Sequence, residues 1–569
     1  MSKKIAVAHE RVDDLPIIIR QLKHMRVAEL LDEHIPTNGN WQGLSLGWVV
    51  VVWLTFMLSE GDHRLSHVEP WVKAHQNTLR RCLSRWLKPR EFNDDRLATI
   101  LDYLAVTENW VAFERALNEQ VLRVYDLRPK LARVDTTTTA AFVTPEGLFQ
   151  LGHSKDHRPD LPQLKIALST LDPLALPLTV AVVAGNTADD PLYLPEINKI
   201  RQIAQITGLT YVGDSKMAAL ATRAAIVARQ DHYLCPLSAK QVSDATLDQL
   251  LVPVFNGTLV PVDIYLPAES DATVPAEPVA VGFEYVVTQH GITADGPTLP
   301  WQERRLVVRS LAYAAAQERH LRARVERAVH EINALNERKQ GKPVLADAAA
   351  AQAAADALLE KHRVAAVVTV TVTATTQERT KRAYGGRPAT TTSQTQVQLS
   401  AAVNEAALTQ AIARLGWRVY ATSHCADELS LAQAVAAYRG EYLIEQNFGR
   451  LKGRALSLRP LYLQFEERAC GLIYLLSIGL RVLVLVQFVV RRSLQQTGTK
   501  LKGLYPGQPG RQTAQPTTEL LLRAFRGVTL SHVRVTGDKH LHLTPLNALQ
   551  KRILKLLEMP QSIYTELAT

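Results

Sequence analysis

The sequence predicts an α/β protein, with a mixed sheet that carries helices on its faces. Between residues 130 and 237, short apolar runs bounded by Pro, Gly and Asp indicate strands, and helix and strand patterns then alternate. Before this region the apolar spacing is helical, and after it the order of the elements breaks. We therefore expect a central sheet, an insertion and helical regions at both ends.

The chain has 569 residues, which is long enough for three or four domains. We expect a helical N-terminal domain over 1–129, which either binds DNA ends or serves packing and dimerisation. The core is expected in two parts, over 130–237 and 417–495, with an insertion over 238–416 between them. The C-terminal region, 496–569, is assigned to dimerisation or DNA contacts.

The elements of the core come in a clear order. LARVDTTTT predicts a strand that ends at Asp135, and LFQLGHSK, LKIALSTL and LPLTVAVVAG predict three more. LPEINKIRQIAQI has the spacing of an amphipathic helix. LTYVGDSKMAAL predicts a strand that runs into a helix beginning at Asp214, and DHYLCPL predicts a further strand.

The insertion combines strands with a helical hairpin. EYVVTQ and RRLVVRS are strand-like, and AVVTVTVTATT and TQVQLSAAV predict two strands around a polar loop at 376–393. Residues 345–362 are Ala-rich and helical, and residues 315–339 have the apolar spacing of a coiled-coil seam. The seam consists of Leu321, Val325, Ala328, Ile332 and Leu335.

Three carboxylates stand out near predicted element ends. Glu445 lies in AAYRGEYLIEQNFGRLKGR, which predicts one helix from Tyr438 to Lys452. Tyr438 precedes Glu445 by seven residues and Lys452 follows it by seven, so a single helix places all three on one face. Asp135 and Asp214 each end a predicted strand, and their side chains meet if those strands are neighbours.

Carboxylates grouped in this way suit Mg²⁺, which prefers oxygen ligands. Two such ions about 3.5–4 Å apart activate the attacking oxygen and stabilise the leaving oxygen of a phosphodiester. Taken singly, each Asp is more typical of a turn or a helix cap. Taken together with the basic helix, the three acids favour a metal site that cuts and rejoins DNA, with two Mg²⁺ ions for which Mn²⁺ is expected to substitute.

The charge distribution favours a polyanionic partner. The net charge is +10, and the segment 439–502 holds eleven Lys and Arg residues but four Glu.

The four Cys residues form no C-x-x-C pair, which argues against a zinc ribbon and fits a reducing cytoplasm. The polar stretch LGHSKDHRPDLPQ predicts a hairpin loop, and backbone contacts to DNA are the second interpretation. Its two His residues without further ligands are a weak metal signal.

The apolar run 471–490 is long enough to cross a bilayer. Arg481 lies at its centre, where it would cost about 2.5 kcal/mol or more in lipid. A buried core helix and no membrane contact are therefore expected.

The chain resembles prokaryotic insertion-sequence transposases of the DDE type, which have an RNase H-like core. Within them it is similar to the group with a Tyr-x2-Arg-x3-Glu-x6-Lys signature, matched at Tyr438, Glu445 and Lys452. Asp135 in VDTTTT and Asp214 in VGDSKMAAL match the contexts of the first two acids. The resemblance implies an RNase H-like fold with a largely β insertion, and it extends over nearly the whole chain. The signature Arg is Glu441 here, which is a departure from the pattern.

By this resemblance, Tyr438 and Lys452 contact the DNA backbone near the cut. Arg439, Arg450 and Arg454 are the other basic residues expected to bind DNA, and the first two take the place of the signature Arg. The resemblance also implies a Trp that stacks on a flipped base. Trp417 is the first candidate and Trp301 the other, and core packing is the alternative for either.

We therefore expect a cut-and-paste DNA transposase with Asp135, Asp214 and Glu445 as catalytic and metal-binding residues. Its partners are double-stranded DNA, both the terminal inverted repeats and the target, and a second copy of the chain in a homodimer on DNA. A cytoplasmic, nucleoid-associated prokaryotic protein is expected. The alternatives are an RNase H-like endonuclease without strand transfer, and a non-catalytic DNA-binding relic.

Overall fold

The computed structural model describes residues 5–266, 277–292, 296–337, 347–381, 390–535 and 538–569. The chain folds into two compact units with mixed α/β structure. The first unit consists of Met1–Cys235, His290–Trp301 and Ala437–Thr569, and the second of Pro236–Gln289 and Gln302–Ala436.

The N-terminal part of the first unit is mostly helical, as expected, but it begins with a strand that the sequence did not predict. This strand, β1 (Ile5–Arg11), pairs with a strand near the other end of the chain. The helices that follow are α1 (Leu15–His24), α2 (Val27–His34), α3 (Leu46–Glu60), α4 (Val68–Ala74), α5 (Gln76–Leu83), α6 (Asp94–Leu104) and α7 (Thr107–Val124).

The sheet of the first unit is mixed and has the order β4-β3-β2-β5-β6. β2, β3 and β4 are antiparallel neighbours, whereas β5 runs parallel to both β2 and β6. LFQLGHSK contains no strand and contributes only isolated bridges. The elements are β2 (Leu131–Ala140), β3 (Gln163–Leu171), β4 (Leu176–Ala184), α8 (Tyr193–Ala204), β5 (Thr210–Val212), α9 (Leu220–Val227) and β6 (His232–Pro236).

The second unit has a sheet with the order β12-β9-β8-β7 and a separate two-stranded ribbon, β10-β11. The tips of β8 and β9 belong to the first unit, and α14 ends there. The elements are α10 (Asp244–Phe255), β7 (Val262–Ile264), β8 (Ala280–Ile292), β9 (Thr298–Ser310), α11 (Leu311–Asn333), α12 (Ala348–His362), β10 (Val368–Lys381), β11 (Thr390–Val403), α13 (Glu405–Arg414), β12 (Trp417–Thr422) and α14 (Leu431–Arg439).

The helical hairpin of the second unit agrees with the sequence pattern. Leu321, Val325, Ala328 and Ile332 are buried against α12 and the ribbon, which confirms the predicted seam. The ribbon strands extend further than expected, so the loop predicted at 376–393 is too long. Residues 338–346 and 382–389, where the turn of the hairpin and the rest of this loop fall, lie outside the described residues.

The last part of the chain returns to the first unit. Its strands β15 and β16 complete a three-stranded sheet in the order β1-β15-β16. The elements are α15 (Tyr442–Lys452), α16 (Glu466–Gln496), β13 (Leu501–Lys502), β14 (Gln512–Thr513), α17 (Thr518–Arg523), β15 (Thr529–Val535), β16 (Asp538–Leu543), α18 (Ala548–Leu556) and α19 (Ser562–Thr565).

Helix α16 is a core helix of the first unit, as the sequence predicts for its apolar run. By length and composition it would cross a membrane, but 94% of its most apolar stretch is buried inside the protein. Arg481 is fully buried and its guanidinium lies 2.9 Å from the Glu114 carboxylate on α7. It also donates to the carbonyl oxygen of Leu178, at 2.9 Å, so the buried charge is both paired and hydrogen-bonded.

Candidate active site

Asp135 and Asp214 are brought together by the register of two parallel strands. The pairing of β2 with β5 ends where Arg133 faces Val212. Each acid follows two residues later, and a two-residue step returns a side chain to the same face of a sheet. Since neighbouring strands lie about 4.8 Å apart, the two carboxylates are close neighbours.

The local setting of each acid differs from the sequence-based expectation. Asp135 lies in the middle of β2, which continues to Ala140, so the strand does not end at Asp135. Asp214 does not begin a helix, because α9 starts at Leu220. Its carboxylate instead accepts the Lys216 backbone N–H at 2.8 Å, which holds a turn directly after β5.

Asp135 has a strongly perturbed environment. Burial raises the pKa of its carboxyl to about 7, and the nearby charges of Asp214 and Glu441 raise it as well. Lys155, whose Nζ lies 3.9 Å from Asp135 Oδ1, and the Thr136 N–H both favour the ionised form without cancelling this effect. A cation placed beside this carboxyl would favour its ionised form and lower its pKa.

Asp214 is held in place by an aromatic hydroxyl. Tyr193, which is buried at the start of α8, donates to Asp214 Oδ1 at 2.5 Å. Burial raises the pKa of Tyr193 well above its usual value, and the negative charge of Asp214 adds to this effect. The tyrosine therefore remains a hydrogen-bond donor, which leaves the second oxygen of Asp214 for another partner.

The stretch from Tyr438 to Lys452 is not one helix, contrary to the sequence-based expectation. Helix α14 ends at Arg439 and α15 begins at Tyr442, with Gly440 and Glu441 between them. The seven-residue spacing therefore gives a shared helix face only to Glu445 and Lys452.

Glu441 faces the two aspartates from this break. Burial raises the pKa of Glu441, and the charges of Glu445 and Asp214 raise it further, whereas a hydrogen bond from Tyr438 and the charge of Arg133 oppose the shift. Glu441 thus interacts with Asp214, Asp135 and Glu445, and it links the exposed Glu445 to the aspartates. Sequence reasoning placed Glu441 at the signature Arg position and ranked a role as an extra outer metal group below simple divergence.

The four acids form an open cluster rather than a compact ligand set. In the described part of the chain, the side-chain oxygens of Asp135, Asp214 and Glu445 do not all lie within 4.8 Å of one another. Two ions about 3.5–4 Å apart need ligands spread over a wider span. The donors are all oxygens and the like charges oppose one another, so the cluster fits hard divalent cations.

Two of the basic residues expected to bind DNA make contacts within the protein. Arg450 donates to the Glu519 carboxylate at 2.8 Å and to the Gln487 side chain at 2.6 Å. Lys452, whose side chain is 12% exposed, lies 2.8 Å from Asp156 Oδ1 and donates to Thr137 Oγ1 at 2.9 Å. Arg439 and Arg454 are exposed.

Trp417 occupies a core position in the second unit. Its side chain is buried with Leu251, Val307 and Val419, and its ring packs near Phe283. Its indole N–H donates to the Ala413 carbonyl oxygen at 3.1 Å. Core packing, the alternative to base stacking, accounts for this placement.

Sequence reasoning missed the contribution of the polar stretch LGHSKDHRPDLPQ to the site. Lys155 reaches Asp135, and the buried carboxylate of Asp156 lies between Lys452 and Arg459. The available signal was the density of charge in this stretch, which lies in the connection between β2 and β3. The two His residues of the stretch suggest a weak metal site, whereas the contacts with the acid cluster and with Lys452 come from Lys155 and Asp156.

The comparisons with known proteins match parts of the chain. A family model described as "Domain of unknown function (DUF4277)" matches residues 7–115, and a search of curated proteins finds no match. The chain is similar to "Cryo-EM structure of piggyBac transposase synaptic complex with hairpin DNA (SNHP)", at 8% identity and a TM-score of 0.23. The match covers 52% of this chain and 62% of that chain, less than two thirds of its length. At this TM-score, the likeness supports no conclusion about function.

Proposed function

We propose that this protein is a DDE-type DNA transposase with an RNase H-like core, which binds the ends of an insertion sequence and moves it by cutting and joining DNA. The observation that carries the proposal is that Asp135 and Asp214 each lie two residues beyond the last paired residues of the parallel strands β2 and β5. The charge of Glu441 acts on Asp135, and the charges of Asp214 and Glu445 act on Glu441. The sequence resemblance supports the same assignment. The mixed sheet of the first unit agrees with it.

In this proposal, Asp135, Asp214 and Glu445 hold two Mg²⁺ ions, for which Mn²⁺ substitutes. When bound, the ions supply an activated water or 3′-hydroxyl and stabilise the leaving oxygen of the phosphodiester. The protein contributes the fixed placement of the acids: β2 and β5 set the distance between the aspartates, and Tyr193 orients Asp214. Glu441 belongs to the outer part of the same cluster.

The proposed partners are double-stranded DNA, comprising the terminal inverted repeats and the target, and a second copy of the chain. Two element ends are joined to one target, so a homodimer on DNA is the simplest active form. The exposed Arg439 and Arg454 and the net charge of +10 support binding to a polyanion. A cytoplasmic, nucleoid-associated location in a prokaryote follows from this function.

The proposal is tested by comparing Asp135→Ala with Asp160→Ala. Asp160 lies on the nearby loop, where it is exposed and paired with Arg158, so its loss removes an equal charge outside the acid cluster. Asp135→Ala should abolish cleavage of DNA that carries the element end, while DNA binding persists and Asp160→Ala stays active. If Asp135→Ala cuts at the normal rate, the assigned catalytic role is wrong.

Two alternatives give different results in the same assays. An endonuclease cleaves element ends but does not join pre-cut 3′ ends to target DNA, so strand transfer separates it from a transposase. A DNA-binding relic binds without any metal-dependent cleavage. Short inverted repeats bounded by a duplicated target sequence next to the coding region would favour the transposase directly.

A further inference from the structure

The edge of β2 beyond Asp135 is closed by charged side chains instead of a strand. The pairing with β5 covers only Leu131–Arg133, and in the described residues no strand replaces β5 further along this edge. Thr136, Thr138 and Ala140 alternate along β2, so their backbone groups lie on the same edge, about 7 Å apart from one to the next.

Each of these backbone groups has a charged partner. Lys155 Nζ donates to the Thr136 carbonyl oxygen at 2.6 Å, and Lys452 Nζ donates to the Thr138 carbonyl oxygen at 3.2 Å. The Ala140 N–H donates to Asp156 Oδ2 at 3.2 Å. The edge therefore holds a row of side chains that begins beside Asp135 and leads away from the acid cluster.

Asp156 organises this row. Its side chain is 2% exposed, and its Oδ1 lies 2.8 Å from both Lys452 Nζ and Arg459 Nη1. The Asp156 carboxylate thus pairs with two cations, Lys452 and Arg459, so this end of the row has a net positive charge.

The three cations differ in how accessible they are. Lys155 and Arg459 have side chains that are 35% and 42% exposed, whereas Lys452 is 12% exposed. Lys155 is also fixed at its backbone, because its N–H donates to Thr138 Oγ1 at 2.9 Å. The exposed ammonium and guanidinium groups are available to an external anion, and the buried Lys452 is not.

We propose that Lys155 and Arg459 bind the phosphate backbone of the DNA strand that enters the acid cluster, and that Lys452 is a positioning residue. Lys452 holds Asp156, and Asp156 in turn fixes the loop with Lys155 and orients Arg459. This inference rests on the proposed function, and it assigns to two other residues the phosphate contact that the resemblance gave to Lys452.

The contact is measurable because each phosphate that a cation neutralises releases counterions. The slope of log K against log salt concentration changes by about 0.9 for each phosphate contact with B-DNA. Binding of a fluorescein-labelled duplex is followed by anisotropy without divalent metal, between about 50 and 200 mM NaCl. The full-length protein is compared with Lys155→Ala, Arg459→Ala and their double variant.

Arg322→Ala is the matched control, since Arg322 is 52% exposed and paired with Glu318 on α11. Lys155→Ala and Arg459→Ala should each weaken binding several-fold and reduce the slope by about 0.9, while Arg322→Ala leaves both unchanged. Lys155→Arg and Arg459→Lys should restore the slope. Lys155→Gln, which keeps a donor for Thr136, replaces Lys155→Ala if that variant melts early.

The role of Lys452 is tested in the double variant. Adding Lys452→Ala should not lower the slope further, because Lys452 does not contact a phosphate. A further drop of about 0.9 would show that Lys452 contacts a phosphate directly. Normal slopes in Lys155→Ala and Arg459→Ala would overturn the inference but leave the transposase proposal standing. Absence of duplex binding by the unaltered protein would instead overturn the proposed function.

Discussion

The Arg133 guanidinium donates to the carbonyl oxygen of Ala437 and so ties the strand that carries Asp135 to the last turn of α14. The same guanidinium pairs with Asp172 at 2.6 Å and is almost fully buried. Because the chain turns at Gly440 directly after this anchor, Arg133 determines where Glu441 lies relative to Asp135. One buried cation thus connects two segments of the site that are 304 residues apart in sequence.

The first prediction concerns Gly440→Ala. A Cβ at this position would collide with the Arg133 guanidinium, so either the anchor or the break between the helices has to move. We expect a loss of about 1–3 kcal/mol in the free energy of unfolding, together with a large loss of cleavage. Urea unfolding and cleavage of an end-containing duplex measure the two effects.

Gly449→Ala provides the control on the neighbouring helix. A Cβ at Gly449 meets no atom within 4 Å, and the position is exposed in α15. This change should raise stability by up to about 1 kcal/mol through helix propensity and leave cleavage intact. Equal changes in unfolding free energy and in cleavage for Gly440→Ala and Gly449→Ala would show that the contact between Gly440 and Arg133 does not control the site.

The second prediction separates Glu445 from Glu441. Glu445→Ala removes a proposed metal ligand and should abolish cleavage at every Mg²⁺ concentration. Glu441→Ala removes an outer carboxylate and should raise the Mg²⁺ concentration needed for cleavage by about 10–100-fold. Mn²⁺ binding by the isolated variants gives a second readout. If Glu441→Ala has the normal metal dependence, Glu441 plays no part in metal binding.

The third prediction concerns the buried pair of Arg481 and Glu114. Burial raises the pKa of Glu114 to about 7 despite the adjacent guanidinium. Arg481→Met leaves this carboxylate without its partner and should cost about 3–5 kcal/mol, whereas adding Glu114→Leu should restore much of the loss. Thermal melting of the single and the double variant measures this recovery of stability. Equal melting temperatures of the two variants would contradict the prediction.

The fourth prediction is a pH dependence of stability. Burial raises the pKa of Asp14 from 3.8 to about 6, so the folded state binds this proton more tightly than the unfolded state does. The ionised carboxyl therefore destabilises the protein at neutral pH, and this cost disappears as the pH falls from about 6 to about 4.

Asp14→Asn removes the titration and keeps an acceptor for the Ser59 hydroxyl, which donates to Asp14 Oδ1 at 2.6 Å. It should raise the free energy of unfolding by up to about 3 kcal/mol at pH 7.5, with no gain near pH 4. Urea unfolding of variant and parent across this range measures the difference. A difference that does not change with pH would rule out the assigned ionisation.

Local periodicity predicted the elements whose buried faces dominate their sequence. LKIALSTL and LPLTVAVVAG form β3 and β4, and LPEINKIRQIAQI forms α8. The coiled-coil spacing placed the buried seam of α11 correctly. In these segments the apolar pattern and the tertiary burial act in the same direction, so a short window of sequence is sufficient.

The site was less predictable, because it depends on contacts between distant residues. The predicted helix continues across Gly440, but α14 ends at Arg439 and α15 begins at Tyr442. The contact of Arg133 with this segment, far upstream in sequence, is not visible in the local pattern. The sequence also placed Asp135 at a strand end, because Thr136–Thr139 lack apolar side chains, although these threonines lie within β2. The roles of Asp135, Asp214 and Glu445 remain predictions.

The pairing of β1 with β15 has a consequence for synthesis of the protein. Ile5 pairs with Val535 in this sheet, so β1 leaves the ribosome long before its partner strand β15 has been translated. A prematurely terminated product keeps β1 but lacks β15, and it exposes a bare edge of the kind that promotes aggregation. Truncated copies are therefore expected to be insoluble rather than partly functional.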